Sequence, residues 1–522
     1  MNPTTAAALR AERRREAPRP RRRGALAGVA ATIVALGLSE LIAGVLPGAT
    51  SLVAAIGQWV VDHQPPGAKD VAVGLFGTND KLALEIVVTL AALAFGAALG
   101  ILSIRRINLA ATVFAGFGVA GFAAAQGQPQ VNPAIVAVQA AGAVAAGIQS
   151  LSWLSAGFGR PDDDAVSDPA RRSFLLRAGA LGIAGVAAGF VGRSLMDRSS
   201  TAPTTGAVAI PPASTTIPPL ATGADLAPTI PGLTPIVMPN GRFYRIDTAL
   251  IVPDVAIADW SVRIHGLVDR ETTLTYEELL GLPLFEQYVT ISCVSNEVGG
   301  NLVGNAKWTG VHLREVLDLA GVQTSATQLV GRSVDGFTAG MPTAWVMDPA
   351  REPMIAVKMN DEPLPRAHGF PARLIVPGLY GYVSATKWLS ELELTTLEAF
   401  DGYWVPLGWA KEAPILTQSR IDTPTGDVAV GAVPIAGIAW APDRGVSRVE
   451  VGVDGTWHDA ELSVPISNAT WVQWVYRWDA TPGAHTVSVR ATDGRGTVQE
   501  EQPSRPAPDG ARGWHTIRVS VH

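Results

Sequence analysis

The 522-residue sequence predicts a multi-domain chain with an α-helical membrane region of about five spans, an α+β domain and an immunoglobulin-like β-sandwich. Three observations lead to this prediction. Residues 24–193 are rich in Ala, Gly, Val and Leu and carry few charges. Residues 241–405 mix strand and helix patterns at an ordinary globular composition, and after residue 412 short apolar runs alternate with turn signals. A chain of this length exceeds one domain.

Five apolar stretches each approach the ~20 residues that a helix needs to cross a bilayer. They cover residues 24–46, 82–103, 107–126, 131–155 and 173–193. A basic tail, residues 1–23, comes first, and with it inside, the arginine-bearing loops fall on the same side: Arg105, Arg106, Arg160, Arg171 and Arg172. Such loops stay in the cytoplasm. We therefore predict that residues 24–195 are a multi-pass segment of the cytoplasmic membrane and that everything after them lies outside. The net charge of −6 gives no sign of nucleic-acid binding.

The fifth stretch begins with Ala170-Arg-Arg-Ser-Phe-Leu-Leu-Arg177. Two arginines, a spacer and Phe-Leu ahead of a mildly apolar run resemble a twin-arginine export signal. The alternative is that Arg171 and Arg172 are ordinary anchors on the inner side. The twin-arginine pathway carries folded proteins, which suits a domain that receives a cofactor in the cytoplasm. No small-residue cleavage site follows Val191-Gly-Arg193, so we expect the segment to remain as an anchor.

Residues 196–240 are rich in Pro, Thr and Ala, a composition that predicts an extended tether without a core. Folded sequence resumes at about Gly241. Strands are expected at 260–265, 288–292 and 372–376, and helices at 275–280, with Thr275 as N-cap, and 313–319. Between residues 412 and 522 we expect strands at 428–439, 446–453, 458–464, 471–478, 484–492 and 514–521. Short strands at this spacing predict a sandwich of immunoglobulin type.

Cys293 is the sole cysteine of the chain and falls in the part predicted to lie outside the membrane. A lone thiol cannot form an intramolecular disulfide, and exported proteins more often pair or avoid cysteines. The run Tyr288-Val-Thr-Ile-Ser-Cys-Val-Ser-Asn296 predicts a strand that leads into a loop, with the sulfur at the strand end. Taken alone, this cysteine could be a small buried hydrophobe.

A second notable segment lies further along the chain, at residues 368–388. It combines one imidazole, two cations, a hydroxyl and three glycines in His368-Gly-Phe-Pro-Ala-Arg373-Leu-Ile-Val-Pro-Gly-Leu-Tyr-Gly-Tyr-Val-Ser384-Ala-Thr-Lys387-Trp388. The pattern is typical of a strand followed by a glycine-rich turn. Such turns present backbone N–H groups to anions, and arginine and lysine neutralise phosphate. The alternative is a polar surface loop, but the prolines and glycines around Leu374-Ile-Val376 indicate a more constrained segment.

Together these segments resemble the molybdopterin-binding domain of the sulfite oxidase family. The resemblance extends to Phe243-Tyr-Arg-Ile-Asp247, Ala306-Lys-Trp-Thr-Gly-Val311 and Met359-Asn-Asp-Glu-Pro-Leu364. It covers about residues 241–405, and residues 412–522 resemble the family's C-terminal dimerisation domain. It implies a membrane-anchored bacterial oxidoreductase with a molybdenum-molybdopterin cofactor. Such an enzyme exchanges an oxygen atom and two electrons with a small substrate, and a homodimer through the C-terminal domain is implied.

The resemblance also implies a role for each site residue. The Cys293 thiolate would ligate molybdenum together with the dithiolene of the pterin, and a soft thiolate suits such a metal. The cofactor-binding positions that it implies are Tyr244, Arg245, Cys293, Asn296, His368, Arg373, Ser384 and Lys387. Tyr403, in Phe400-Asp-Gly-Tyr-Trp404, is the candidate for a catalytic tyrosine on the substrate side. Packing at a domain boundary is the alternative role for Tyr403.

Two departures from the family bear on substrate and electron flow. Glu297 stands where sulfite oxidases carry an arginine that helps to hold an oxyanion, and a carboxylate there would repel sulfite. No haem is expected in this chain, since His63, in a loop, is the only histidine before residue 265. We therefore expect electrons to pass to or from a separate cytochrome or a quinone.

Three alternative functions remain open at this point. The chain could be a sulfite oxidase or dehydrogenase proper. Ser384-Ala-Thr-Lys387 is an S-x-x-K pattern, as in the acyl-transfer enzymes that bind penicillin, although neither S-D-N nor K-T-G occurs. A non-catalytic receptor or adhesin tethered to the membrane, with an immunoglobulin-like tip, would explain the tether and sandwich. That last reading leaves Cys293 and the segment 368–387 without a purpose.

Overall fold

The computed structural model describes residues 19–63, 80–128, 131–156, 168–201 and 209–522. The basic residues predicted before Arg19, the predicted inner-side Arg160 and residues 202–208 of the predicted linker lie outside the described residues. The chain divides into two compact units. The first comprises residues 1–200 with 249–252, and the second comprises residues 201–248 with 253–522.

The first unit is helical. Its helices are α1 (Arg19–Val45), α2 (Leu52–Asp62), α3 (Asp80–Ala125), α4 (Pro133–Ser155) and α5 (Asp168–Thr201). Within the described ranges, α1, α3, α4 and α5 contain stretches long and apolar enough to cross a membrane. Helix α3 covers both predicted stretches 82–103 and 107–126, and its backbone leaves helical geometry at Arg106 (φ −142°, ψ 67°). Whether these helices make four spans or five depends on that break, so the span count stays a prediction.

Helix α2 occupies a region that the sequence left as a loop. It begins after Ser51, whose hydroxyl accepts a hydrogen bond from the Ala54 backbone N–H at 3.1 Å and donates one to Glu40 at 2.7 Å. The amide of Gln139, which is fully buried, bonds the carbonyl of Thr50 at 2.7 Å. These polar bonds fix the turn between α1 and α2 within an otherwise apolar bundle, where an unsatisfied polar group would be costly.

Helix α1 approaches two other helices at glycines. A Cβ atom on Gly28 would overlap the carbonyl oxygen of Gly96 in α3, and one on Gly37 would overlap the carbonyl oxygen of Gly185 in α5. Further close pairs are Gly24 with Gly100 and Gly44 with Gly192. Small residues at such crossings let helix backbones pack closely in lipid. Helix α5, whose first turns contain the twin-arginine-like motif, thus packs against α1.

The second unit begins with two sheets and short helices. The strands are β1 (Ser261–Gly266), β2 (Thr272–Thr275), β3 (Leu284–Ser292), β4 (Val303–His312), β5 (Gln328–Ser333), β6 (Thr338–Pro342), β7 (Met354–Met359), β8 (Glu362–Pro363), β9 (Arg373–Ile375) and β10 (Leu389–Thr395). The helices are α6 (Tyr276–Leu280), α7 (Leu313–Asp318), α8 (Thr343–Val346) and α9 (Gly381–Ser384). One sheet has the order β2-β1-β10-β5-β6, with β1 parallel to β10. The other has the order β3-β4-β7-β8, with β9 paired to β7.

Local sequence signals account for these elements. The N-cap of α6 is Thr275, as predicted: its hydroxyl accepts from the Glu278 N–H at 3.3 Å, and the Glu278 carboxylate accepts from the Thr275 N–H at 2.8 Å. This reciprocal pair is a capping box. Strand β3 ends at Ser292, so Cys293 stands at a strand end as expected. Behind β3, β4 and β7 lies a core that includes Val289, Trp308 and Met354.

The C-terminal region consists of two antiparallel sheets around a shared core. Its strands are β11 (Gln418–Thr423), β12 (Gly431–Trp440), β13 (Val446–Val453), β14 (Thr456–Asp459), β15 (Glu461–Leu462), β16 (Val472–Ala480), β17 (Gly483–Asp493) and β18 (His515–Val521). The sheet orders are β11-β12-β16-β15 and β14-β13-β17-β18. Val451, Trp474 and Val489 are among the residues packed between them. The six predicted strand regions are present, with 458–464 divided between β14 and β15, and β11 was not predicted. The immunoglobulin-like assignment remains a prediction.

The predicted linker differs from an extended tether over residues 209–240. Ile230 and Leu233 are buried against Ala436 and Val475 of the C-terminal sheets. The Thr234 carbonyl accepts a hydrogen bond from the Gln473 amide at 2.7 Å. Composition alone misses this packing, because a few apolar residues suffice when a folded surface is available to receive them.

Candidate active site

Cys293 lies in a loop that its own backbone closes. The Cys293 N–H donates to the Leu302 carbonyl at 2.9 Å, and the Asn296 N–H donates to the Cys293 carbonyl at 3.1 Å. The side-chain oxygen of Asn296 accepts from the Leu302 N–H at 2.8 Å. Cys293 is 9% exposed, and its Sγ is 2.9 Å from the Ser295 hydroxyl. Asn296 therefore shapes the loop 293–302 that presents the sulfur, while its own oxygen is occupied by that loop.

Three basic side chains of the segment 368–387 come together in a buried cluster of His368, Arg373 and Lys387. Arg373, at the start of β9, donates from Nη1 to the His368 carbonyl at 3.0 Å. Lys387 precedes β10 and donates from Nζ to Asp247 at 3.1 Å and to the Ala367 carbonyl at 3.2 Å. The His368 ring bonds the Asn240 carbonyl at 3.0 Å through Nε2. The structure thus brings His368, Arg373 and Lys387 together, and their predicted cofactor-binding role stays a prediction.

Burial and mutual repulsion shift the titration of the basic cluster. Burial, with the charges of Lys387 and Arg373, lowers the pKa of His368 to about 3. Burial lowers the pKa of Lys387 to about 8 against the opposing attraction of Asp247, and lowers that of Arg373 to about 10. Burial therefore makes the charged forms of Lys387 and Arg373 unfavourable, because a buried charge destabilises the fold unless it is neutralised.

The basic cluster fits an anionic group. The Asp247 carboxylate, which accepts from Lys387, also accepts from the Nε of Arg245 at 2.9 Å. Among the described residues, the Arg373 Nε is buried without a hydrogen-bond partner. A buried N–H group in a positively charged setting is what a phosphate satisfies well, because arginine donates to phosphate oxygens in a planar fork. The residues present thus suit the phosphate-bearing end of a cofactor.

Tyr244 connects this cluster to the cysteine strand. Its ring stacks on Phe243 with centroids 5.4 Å apart. A Cβ on Gly381 would lie 3.7 Å from the Ser292 carbonyl oxygen and 3.9 Å from the Tyr244 hydroxyl, so the three meet around one point. Burial raises the pKa of Tyr244, and the negative charge of a Cys293 thiolate raises it further. Arg245 lies nearer to solvent, where it pairs with Asp247.

The predicted roles of Ser384 and Tyr403 stay predictions, and the structure shows the contacts that the two residues make within the protein. The Ser384 hydroxyl is fully buried and donates to the carbonyls of Tyr380 and Leu379 at 3.0 and 3.2 Å. Its side chain is thus committed to the turn of α9, and it is paired with carbonyls rather than with Lys387, which argues against acyl transfer through the S-x-x-K pattern. Tyr403 packs its ring against Phe337 and Trp404, at centroid distances of 5.9 and 5.1 Å.

Two residues near the site escaped the sequence analysis. Tyr380 is buried, and burial raises its pKa to about 12, with a smaller contribution from the Cys293 charge. Its hydroxyl accepts from the Leu416 N–H at 3.4 Å. Asp247 links Arg245 to Lys387. Both lie inside motifs that the sequence singled out, so their types and positions could have drawn attention to them.

The protein offers few side chains that could bind a metal or a substrate near Cys293. Within the described ranges, no group of three or more His, Cys, Asp or Glu side chains gathers as a metal site. A metal beside Cys293 would therefore depend on ligands that the cofactor brings. The Glu297 side chain is exposed, and its carbonyl accepts from the Gly300 N–H at 2.8 Å.

Comparison with known proteins agrees with this chemistry. The family model for the oxidoreductase molybdopterin binding domain matches residues 249–404. Mitochondrial sulfite oxidase from Drosophila melanogaster is 32% identical over 41% of this chain and 40% of its own length. Nitrate reductase [NADH] 1 from Oryza sativa subsp. japonica is 29% identical over 48% of this chain and 34% of its own length. The crystal structure of the sulfane dehydrogenase SoxCD from Paracoccus pantotrophus is 23% identical, covers 55% of this chain and 81% of that chain, and superposes with a TM-score of 0.48.

The fold and site thus define a molybdopterin-binding oxidoreductase domain, followed by a β-rich region and preceded by apolar helices. The prediction of an oxidoreductase is confirmed. This part of the chain is similar to sulfite oxidases, among them the mitochondrial sulfite oxidase of Homo sapiens, which is 29% identical over 55% of this chain and 62% of its own length. The chain spans less than half the length of the Drosophila melanogaster and Oryza sativa relatives described above.

Proposed function

We propose that the chain is a membrane-anchored molybdenum-molybdopterin oxidoreductase that acts on a small substrate outside the cytoplasmic membrane. The observation that carries the proposal is the sole cysteine at the end of β3, held in a closed loop in the same domain as a buried basic cluster with an unsatisfied N–H group. When bound, the cofactor supplies an oxygen-atom exchange coupled to two electrons, since molybdenum alternates between the IV and VI states.

The protein residues divide the work of holding this cofactor. Arg373 and Lys387 neutralise its phosphate. The neutral His368 ring donates from Nε2 to the Asn240 carbonyl, which leaves its Nδ1 as a hydrogen-bond acceptor beside them. The Cys293 thiolate ligates the metal, and the Ser295 hydroxyl, 2.9 Å from the sulfur, donates to it. Tyr244 and Tyr380 keep their protons at neutral pH, because both pKa values are raised, and so they remain hydrogen-bond donors near the sulfur.

The substrate is proposed to be neutral or weakly charged. Glu297 lies within the cysteine loop, at the position where an arginine would favour an oxyanion. Because the side chain is exposed, its repulsion is at the low end, about 1 kcal/mol for each negative charge of the substrate at ~4 Å in water. Oxidation of sulfite itself is the second candidate, favoured by the identity to a sulfite oxidase.

The membrane region and the electron partner complete the proposal. Among the residues that the structure describes, four long apolar helices support an anchor in the cytoplasmic membrane. The twin-arginine-like motif at Arg171 and Arg172 supports export of residues 202–522 after folding. Electrons would then leave to or arrive from a cytochrome or quinone at the membrane. A homodimer through the C-terminal sheets is part of the same proposal.

Metal and pterin analysis of the purified full chain tests the proposal. We expect about one molybdenum and one pterin per chain, by the single-thiolate ligand set. Cys293→Ala should abolish turnover while much of the pterin remains, because the basic cluster still holds the phosphate. Arg373→Gln should lose pterin, whereas Arg448→Gln, a matched change on an exposed arginine, should retain it. Wild-type protein with no more molybdenum than a metal-free control preparation would refute the assignment.

A further inference from the structure

The C-terminal sheets contact the cysteine strand immediately before Cys293. The Thr290 N–H donates to the Ala469 carbonyl at 2.9 Å, and the Thr290 hydroxyl accepts from the Trp471 N–H at 2.8 Å. That hydroxyl in turn donates to the Asn305 side chain of β4 at 3.1 Å. Thr290 and Trp471 are fully buried. The strand that delivers the cysteine is therefore hydrogen-bonded to the turn before β16 as well as to its own sheet.

A second set of contacts holds the loop after Cys293. Arg420 of β11 donates from Nη1 to the Gly300 carbonyl at 2.8 Å. Its other nitrogens bond Asp422 at 2.7 Å and the Thr234 hydroxyl at 2.8 Å. All three nitrogens of this buried guanidinium are thereby oriented, so its bond to Gly300 is rigid and charge-assisted.

His515 of β18 fills the space beside Gly299. A Cβ on Gly299, whose φ is +77°, would collide with the His515 ring. The Ile421 N–H donates to the His515 Nδ1 at 3.0 Å, which fixes the orientation of the ring. Burial and the nearby Arg420 lower the pKa of His515, so the ring is neutral. Gly299 and His515 thus fit each other by shape.

These contacts surround the cysteine on both sides of the chain. Thr290 lies before it, Gly299 and Gly300 lie after it, and the bond from the Cys293 N–H to the Leu302 carbonyl closes the loop. From this geometry we infer that Arg420 and His515 are positioning residues that hold the Cys293 loop in the shape in which its sulfur reaches the metal. That the sulfur binds a metal rests on the proposed function. That Arg420 and His515 hold the loop in shape does not depend on any cofactor.

The sole cysteine allows a test that needs no cofactor. Full-length protein made in cells that lack molybdopterin is kept in detergent, and alkylation by iodoacetamide reports Cys293 alone. Arg420→Gln should be alkylated about tenfold faster than wild type, the size expected from losing one charge-assisted hydrogen bond to the loop. Arg448→Gln, an exposed arginine on the neighbouring sheet, should change the rate about twofold at most. Arg420→Lys, which keeps a charged donor, should restore part of the slow rate.

A second variant keeps the test decisive if Arg420→Gln folds poorly. His515→Ala removes the ring beside Gly299 without removing a charge, and His485→Ala is its matched control at a surface pair. We expect faster alkylation of Cys293 and faster amide exchange in residues 293–302 for His515→Ala than for wild type, and no change for His485→Ala. Rates for Arg420→Gln and His515→Ala equal to those of their controls overturn the inference.

Measurements on loaded protein separate this inference from the proposed function. If both hold, Arg420→Gln contains less molybdenum than Arg448→Gln, and the Mo(V) electron paramagnetic resonance signal of what remains is shifted. Wild type without molybdenum but with the expected alkylation rates refutes the metal assignment and leaves the bracing intact. If the protein contains molybdenum but Arg420→Gln and His515→Ala are alkylated at the rates of their controls, the bracing is refuted and the metal assignment stands.

Discussion

Acidification should destabilise the cofactor-free protein through His368. In the fold its pKa is lowered to about 3 from the ordinary 6.5, because it is buried beside Lys387 and Arg373. Between these two values the unfolded chain binds a proton that the folded chain does not. Stability contributed by the neutral ring is therefore complete above pH 6.5 and falls as the pH falls below it.

The size of this effect follows from the same shift. A difference of one pKa unit corresponds to about 1.4 kcal/mol, so lowering the pH from 6.5 to 5 costs about 2 kcal/mol of unfolding free energy. Urea unfolding of the full chain in detergent, followed by tryptophan fluorescence, measures this loss. His368→Gln removes the titrating ring, and groups that titrate equally in both proteins cancel when the two are compared.

The comparison has a clear negative outcome. If wild type and His368→Gln lose the same free energy between pH 6.5 and 5, the ring is not held neutral by its surroundings and the electrostatic account of the site is wrong. Binding of a phosphate-bearing cofactor adds negative charge near His368, which raises its pKa. Loaded wild-type protein should therefore show a shallower dependence on pH than cofactor-free protein.

Three further predictions concern export, substrate charge and the helical bundle. Arg171→Lys combined with Arg172→Lys should leave the first helices inserted but keep a reporter fused after residue 240 inside; an outside reporter would support the simple anchor instead. Glu297→Arg should lower the KM for sulfite by more than tenfold, because the reversal changes the interaction with each negative charge of sulfite by about 2 kcal/mol at ~4 Å in water. An unchanged KM would show that this position does not sense the substrate. Gly185→Val should disrupt the packing of α5 on α1 and lower the melting temperature in detergent. Gly182→Val should not, because a Cβ at Gly182 meets no atom within 4 Å. Equal melting temperatures of the two variants would contradict the described crossing of α1 and α5.

Local signals predicted the parts of the site that are built from one stretch of chain. The strand before Cys293 follows from apolar and β-branched residues, and the buried cluster follows from His368, Arg373 and Lys387 within one glycine-rich segment. The cap of α6 follows from Thr275 and Glu278. In each case the residues that carry the signal lie close together in sequence, where periodicity and spacing can be recognised.

The missed elements depend on partners far away in the chain. Strand β11 has no apolar alternation, because Gln418 and Ser419 are buried polar residues that bond the Ala511 carbonyl and Gln499. Such a strand is apparent only once those partners are in place. The bracing of Gly300 by Arg420 is of the same kind.

The bracing of the cysteine loop also orders events during biosynthesis. Gly300 and Arg420 are 120 residues apart, and Thr290 and Trp471 are 181 apart, so the loop gains its final shape only after most of the C-terminal sheets have been synthesised. A ribosome-bound or truncated chain would offer the sulfur on an unbraced loop. We expect ligation of the metal by Cys293 to wait until the C-terminal sheets have formed, so that these sheets act as a checkpoint on metal ligation.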